Sequence, residues 1–155
     1  MAVSEHFGRH PAAEIYLSQP GLGPVLVARV LGEFGDDTTR FSNSRAGKNY
    51  SGQSPITRAS GKRTLVMARY ATNRRLGNAL HQQAFSAISR SPGARAYYDE
   101  IRGRGIGRHA ALRQIANSLV GVPHGCLKTG TPYDKATAWQ HRVGGTKSSI
   151  ITAAA

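Results

Sequence analysis

Residues 18–35 read SQPGLGPVLVARVLGEFG, and this stretch indicates the architecture of the chain more clearly than any other. Its Pro-Gly and Gly-Pro pairs are typical of a tight turn, and Pro24 suits the first position of a helix. Apolar residues then recur at helical spacing up to Gly35, a residue that can end a helix in a left-handed cap. With a short helix ending at residues 14–18, the pattern predicts a helix–turn–helix unit.

Two interpretations of this unit fit its sequence. In a helix-hairpin-helix, Gly21 and Gly23 let the backbone approach a phosphate, and free N–H groups at the start of the second helix point toward it. In a plain αα-hairpin, the same turn packs into the core of the domain. The motif alone does not separate these two interpretations.

Further helices are predicted in the second half of the chain. Asn73 can cap a helix that reaches about residue 90, and Ser91 followed by Pro92 can start the next one. Another helix is predicted over about residues 108–120, with Pro123 ending it. We therefore predict a mainly α fold, a compact helical domain with a helix-hairpin-helix-like element.

One domain is expected, because 155 residues with 39% hydrophobic content support one modest core. We divide the chain into an N-terminal leader at 1–13, a domain at 14–128 and a loosely ordered, disordered C-terminal tail at 129–155. Within the domain we expect the helix-hairpin-helix-like unit at 14–35, an irregular basic serine loop at 51–67 and a helical part at 73–122. Residues 64–67 fit either a short strand or the edge of that loop.

The charge of the chain is strongly one-sided. Lys and Arg number 21 against 8 Asp and Glu, which gives a formal net charge of +13 and favours a polyanionic partner such as nucleic acid. No acid lies between Asp37 and Asp99, although this interval carries many of the Lys and Arg residues. A phosphate backbone would neutralise such a segment. A generally basic protein with no specific partner is the alternative.

Several classes of protein are excluded by composition. The single cysteine, Cys126, rules out an internal disulfide framework and a four-cysteine metal site. The N-terminus has no apolar signal core, and no apolar run approaches the roughly 18 residues of a membrane span. We expect a cytoplasmic, nucleoid-associated protein with no membrane contact. The few acids suit helix caps and surface positions better than a metal site, so we predict no metal bound by this chain.

Ser60 is the candidate nucleophile. It precedes Gly61, and Arg58, Lys62 and Arg63 lie within three residues of it. A serine hydroxyl is a weak nucleophile without a base or metal, whereas neighbouring cations would hold a phosphate and stabilise its transition state. The alternative is a simple turn serine, which the residues alone favour. Further residues predicted to contact DNA phosphates are Gly61, Arg69, Arg74 and Arg75.

An ordered series of motifs extends along the chain. It comprises SQPGLGP at 18–24, LGEFGD at 31–36, SPITRASGK at 54–62, NRRL at 73–76 and SPGARAYYD at 91–99. The series resembles the C-terminal domain of the Piv-like insertion-sequence transposases, the bridge-RNA-guided DNA recombinases. The resemblance covers about residues 10–141, and the order and spacing of separate motifs make it more specific than any one of them.

The resemblance implies a two-part enzyme. An N-terminal RuvC-like domain carries an acidic tetrad that binds Mg²⁺, and the C-terminal domain carries a serine that becomes transiently linked to DNA. Ser60 matches that serine, so the resemblance favours the nucleophile over the turn serine. Implied partners are DNA, a guide RNA, and a RuvC-like domain or full-length transposase subunits in a homo-oligomer.

Nothing in the sequence resembles the RuvC-like half, so the resemblance predicts a truncated or split transposase. Such a chain would bind no cofactor alone, and Mg²⁺ is expected at the separate RuvC-like domain. A non-catalytic DNA- or RNA-binding remnant is the main alternative. A structural basic protein, for example one associated with ribosomes, is a further one.

Overall fold

The computed structural model describes residues 2–143, and this part of the chain is mainly α, as predicted. Its helices are α1 (Ala2–Phe7), α2 (Ala13–Ser18), α3 (Pro24–Phe34), α4 (Ser44–Tyr50), α5 (Arg74–Arg90), α6 (Pro92–Gly103), α7 (Arg108–Thr129) and α8 (Lys135–Val143). Two strands, β1 (Ile56–Ser60) and β2 (Arg63–Met67), form an antiparallel sheet between α4 and α5. No helix within residues 2–143 is long and apolar enough to cross a bilayer.

The core forms where α5 and α7 pack against each other and receive the other helices. α3 and α6 contact α5, whereas α2, α4 and α6 contact α7. The largest side chains removed almost completely from solvent are Tyr16, Val27, Leu76, Leu80, Ile101, Ile115 and Leu119. Because these side chains come from five different helices, burial of apolar surface holds the helices together as one unit.

Two predicted helix starts are confirmed by their caps. The Asn73 side chain accepts a hydrogen bond from Leu76 N at 3.1 Å, and α5 begins directly after Asn73. The Ser91 hydroxyl accepts one from Ala94 N at 3.3 Å, and Pro92 occupies the first turn of α6. Each cap satisfies an N–H group that has no partner within its own helix.

The predicted end of α7 at Pro123 is wrong, since this helix continues to Thr129. A proline inside a helix costs a backbone hydrogen bond and about 3 kcal/mol. Pro123 is buried, and it lines the same small internal space as Tyr16, Phe34 and Leu80. Packing against neighbouring helices therefore overrides the local preference of the sequence.

The N-terminal leader predicted at residues 1–13 contains folded structure. α1 contacts α3, and Phe7 is a buried member of the core. Ala13 already belongs to α2, whose Tyr16 hydroxyl donates a hydrogen bond to Gly35 O at 2.6 Å. Phe7 thus packs this short polar segment against the helical domain.

The tail predicted to be loosely ordered from residue 129 begins with an additional helix. Within α8, Trp139 is buried, and its indole N–H donates to the Tyr133 hydroxyl at 2.8 Å. The Trp139 ring also lies 6.1 Å from the Tyr97 ring, measured between centroids. One large aromatic residue thus anchors α8 on α6. The remainder of the predicted tail, residues 144–155, lies outside the described residues.

The serine loop predicted to be irregular contains the β-hairpin of β1 and β2. The β-branched residues Thr57, Thr64 and Val66 favour extended backbone. Gly61 and Lys62 supply a two-residue connection, which is the commonest link between antiparallel strands. The strand interpretation of residues 64–67 is therefore correct, and it extends to a partner strand that the sequence analysis missed.

Candidate nucleic-acid interface

Ser60 lies at the tip of the hairpin, directly opposite Arg63 in the strand register. Gly61 has a φ of 57°, while no residue other than glycine has a positive φ in the part of the chain that the structure describes. A positive φ at the first of two central residues is what a type II′ turn requires, and glycine adopts it without strain. The turn thus fixes the position of Ser60 at the end of β1.

One face of the hairpin carries both the hydroxyl and two guanidinium groups. Side chains alternate between the faces of a strand, so Arg58 shares a face with Ser60. Arg63 shares it too, because directly opposite residues lie on the same face, with Cβ atoms roughly 5 Å apart. Thr57 and Thr64 lie on the other face by the same rule. The register therefore gathers the residues that the sequence analysis assigned to one site.

The hairpin projects into solvent. Residues 57–68 are all exposed, including Ser60 and the turn residues. Among the described residues, no carboxylate forms an ion pair with Arg58, Lys62 or Arg63. Three cations that lack an internal counter-ion are available for an external anion.

A neck joins the hairpin to the helical body, formed by Tyr50, Gly52, Thr72 and Asn73. Asn73 N donates to Tyr50 O at 3.0 Å, and Asn73 Nδ2 donates to the Tyr50 hydroxyl at 2.9 Å. Thr72 packs closely against Gly52. The two ends of the hairpin segment are thus tied together before the strands leave the body.

Glu33 connects this neck to α3. Its carboxylate accepts a hydrogen bond from Asn73 Nδ2 at 2.8 Å and lies 3.8 Å from Arg75 Nη1. Arg74 and Arg75 are both exposed at the start of α5. Both side chains lie at the positive end of the α5 dipole, and the first turn of α5 has no acidic residue. An external anion bound there would lower the electrostatic repulsion.

Arg69 differs from the other predicted phosphate ligands. Its side chain is half-buried, and Nη2 donates to Asn49 Oδ1 at 3.2 Å. Arg69 therefore fastens the segment after β2 to α4, and its contact with a phosphate stays a prediction.

The turn at Gly21 packs against α5, while the contact of Gly21 with a phosphate stays a prediction. Gly21 is buried with a φ of 79°, and a Cβ there would lie 2.5 Å from Gln83 O. Gln83 Nε2 also donates to Pro20 O at 3.2 Å. The turn is docked on α5, so Gly21 serves helix packing, as the αα-hairpin interpretation requires. Gly23 lies in open space, and its phosphate contact stays a prediction.

The turn and the hairpin meet α5 at opposite ends. Gly21 contacts Gln83 and Ala87, whereas the neck begins at Asn73. With a rise of 1.5 Å per residue, the two attachment points are about 15–21 Å apart along α5. The structure therefore does not bring the predicted contacts at Gly21 and Gly23 into one site with Ser60.

The acids of the chain do not form a metal site. Asp36 lies 3.4 Å from His10, Asp37 accepts hydrogen bonds from Thr39, and Asp99 pairs with Arg95. The hydrogen bonds from Thr39 lower the pKa of Asp37. Within residues 2–143, no three His, Cys, Asp or Glu side chains come together to hold a metal ion. The residues present thus do not fit Mg²⁺.

Sequence reasoning did not find the residues that support the site. Asn73 gave a signal, since it was predicted as a helix cap, but nothing indicated its bonds to Tyr50 and Glu33. Those contacts join positions that are 23 and 40 residues apart. Pairs of this separation follow from the packing of α3, α4 and α5 rather than from any local pattern.

Comparison with known proteins identifies the family of the chain. Residues 13–99 match the Transposase IS116/IS110/IS902 family, and this match includes the hairpin, the neck and α5. The chain belongs to this transposase family. The family match confirms the insertion-sequence transposase resemblance at this coarser level.

Individual members of the IS116/IS110/IS902 family align over most of the chain. A Streptomyces coelicolor protein, named as a mini-circle transposase for IS117, is 47% identical over 138 residues, 89% of this chain and 33% of its own length. The 43.6 kDa protein of insertion element IS110 from the same species is 33% identical over 81% of this chain and 31% of its own. The 42 kDa protein of IS900 from Mycobacterium paratuberculosis is 32% identical, over 87% and 34%. The chain thus spans about a third of the length of these relatives.

Proposed function

We propose that this chain is the serine-bearing, DNA-binding part of an insertion-sequence transposase, with Ser60 as the nucleophile. The observation that carries this proposal is the register of the hairpin, which groups Ser60 with Arg58 and Arg63 on one exposed face. Lys62 adds a cation at the turn. Two guanidinium groups beside a hydroxyl suit a phosphodiester, because they can donate to its oxygens while the charge on them grows.

The proposed chemistry is a displacement at phosphorus. The Ser60 oxygen forms a bond to a DNA phosphate, the bond from that phosphate to one sugar oxygen breaks, and the released sugar hydroxyl takes up a proton. The serine proton passes to an acceptor outside the hairpin, since no acid lies between Asp37 and Asp99. Reversal of the same step on a second strand end would complete strand exchange.

The need for an external acceptor of the Ser60 proton indicates which kind of partner the chain requires. We propose that a separate acidic, RuvC-like domain, from a full-length transposase subunit, supplies the carboxylates and the Mg²⁺ that would activate the serine. A guide RNA and a homo-oligomer belong to the same proposal. The length of the relatives supports it, because they are about three times as long as the region they share with this chain.

The test is formation of a covalent protein–DNA adduct. The chain is mixed with an acidic domain from a full-length relative, Mg²⁺, guide RNA and cognate DNA, and adducts are resolved on a denaturing gel. We expect an adduct with the wild-type chain and none with Ser60→Ala. Thr57→Ala is the matched control, since it removes a hydroxyl-bearing side chain from the opposite face of the same strand.

The outcomes separate the two candidate functions. An adduct that survives Ser60→Ala would overturn the role of Ser60. Binding of DNA or RNA without an adduct under every combination would instead indicate the non-catalytic remnant.

A further inference from the structure

A second group of cations and rings lies where α5 meets the start of α7. His81 and Phe85 stand one helical turn apart on α5, and Arg108 and His109 open α7. Together with Gln82, Ser86 and Leu112 they line an open groove of about 510 Å³. Nothing in the family resemblance assigns these residues, and their pairing across 28 positions has no local sequence signal.

The groove presents flat groups to solvent. The His81 and His109 rings are stacked, with centroids 5.9 Å apart and planes at 18°. The Arg108 guanidinium carbon lies 5.6 Å from the centroid of the Phe85 ring. Phe85 remains 54% exposed, so one part of its ring is accessible to a ligand. Rings and guanidinium planes of this kind stack on nucleic-acid bases.

The electrostatics of the groove favour an anion. Burial lowers the pKa of His81, and the nearby charges of His109, Arg113 and Arg108 lower it further. The neighbouring helix α3 contributes another cation, since Arg29 donates to Gln82 at 3.4 Å. No acidic residue of the described chain lines the groove. These like charges repel one another, so a bound phosphate would relieve the repulsion.

Arg113 links the groove to the hairpin. It lies one turn beyond His109 on α7, and it lines the cavity at the base of the hairpin together with Val66 and Met67. A nucleic-acid strand bound at the hairpin would therefore pass Arg113 before it reaches Arg108 in the groove.

We propose that this groove binds an unpaired nucleic-acid strand, with a phosphate held by Arg108 and the two histidines and a base stacked beside Phe85. The inference rests on the proposed function, since it takes nucleic acid as the ligand. An unpaired strand fits better than a duplex, because only unstacked bases expose a face to an aromatic ring. A metal ion fits poorly, since the two histidines have no third ligand among the described residues.

His81 makes this binding dependent on pH. A phosphate next to His81 favours the protonated imidazole, so binding takes up a proton and affinity rises as the pH falls. Each unit of pKa rise corresponds to a tenfold change in affinity, and we expect a gain of about threefold to tenfold between about pH 8 and about pH 6.

The experiment measures affinity of the full chain for labelled oligouridylate, oligothymidylate and a DNA duplex of equal length across this pH range. We expect the single-stranded probes to bind more tightly at low pH. The double variant His81→Asn/His109→Gln should lose this pH dependence, and Phe85→Ser should weaken the single-stranded probes while duplex binding is kept. His124→Gln, on α7 but outside the groove, is the control.

The outcomes distinguish this inference from the proposed function. An unchanged pH profile in the double variant, or an equal loss of duplex binding in Phe85→Ser, would overturn the groove alone. A wild-type chain that binds none of the probes would overturn both. Because Phe85 is exposed, Phe85→Ser should fold normally, which keeps the test valid if the double variant does not.

Discussion

Ser60 and Arg63 face each other across β1 and β2 as the last residue pair before the turn. The pairing places a hydroxyl beside a guanidinium group at the exposed tip of the hairpin. The helical body contributes the neck that fixes where this tip projects, through Tyr50 and Asn73. Reactive side chains that must reach a large substrate are expected to lie on an exposed element that the domain holds firmly in place.

The neck predicts a specific effect of Asn73→Ala. This change removes the cap of α5 and the side-chain bonds to Tyr50 and Glu33. We expect a loss of about 1–2 kcal/mol in the free energy of unfolding, measured by urea denaturation. Limited proteolysis should cut the hairpin segment faster. Asn78→Ala, an exposed position on the same helix, is the control, and an equal effect there would contradict the role of the neck.

The docking of the turn on α5 predicts that Gly21→Ala is strongly destabilising. The positive φ strains any other residue, and the added Cβ meets the backbone of α5. We expect a loss of roughly 2–5 kcal/mol from these two effects together. Gly32→Ala adds the same methyl group in open space within α3 and should stabilise by up to about 1 kcal/mol. Thermal denaturation followed by circular dichroism compares the two. A stable Gly21→Ala protein would show that the turn is not packed.

The lowered pKa of His81 predicts how the free energy of unfolding depends on pH. Its pKa in the folded chain is lowered from the usual 6.5, chiefly by burial, so the unfolded chain binds more protons near pH 6. Stability should therefore rise with pH up to about 6.5 and fall as the pH drops through that window. His81→Asn should flatten this part of the curve. A curve of unchanged slope in His81→Asn would contradict the assigned burial and charge effects.

The fluorescence of Trp139, the single tryptophan of the chain, reports on the packing of α8. Trp139 is 5% exposed, and a Cβ at Gly93 would lie 2.6 Å from its ring. We expect Gly93→Val to displace the indole and shift its fluorescence to longer wavelength. Gly103→Ala, where nothing lies near the new methyl group, should leave the emission unchanged. Identical spectra for both variants would contradict the docking of α8.

Local signals were sufficient for much of the helical framework. The caps at Asn73 and Ser91 and the proline at position 92 are short-range features, and each marked a real helix start. Where long-range packing competes with local preference, the same reasoning failed. Pro123 continues a helix because buried contacts offset its lost hydrogen bond, and Trp139 docks a helix in a segment that its composition marks as tail.

The sequence predicts which residues form the candidate site but not how they are arranged in space. The sequence analysis grouped Ser60 with Arg58 and Arg63 by proximity along the chain. Their common face depends on the strand register, which could not be derived without the hairpin. The packing of Gly21 against α5 and the bond from Arg69 to Asn49 could not be predicted either, because both join distant positions of the chain. Contacts of this kind are a property of the tertiary fold.

The salt dependence of duplex DNA binding tests the central claim most directly. On duplex DNA, the slope of log K against log salt changes by about 0.9 for each phosphate neutralised. If the Ser60 face of the hairpin lies on the backbone, Arg58→Gln/Arg63→Gln should reduce the slope by about 2. Arg102→Gln/Arg104→Gln, with the same loss of charge at the exposed C-terminal end of α6, should leave it nearly unchanged. Equal slopes for the hairpin variant and the wild-type chain would contradict the account.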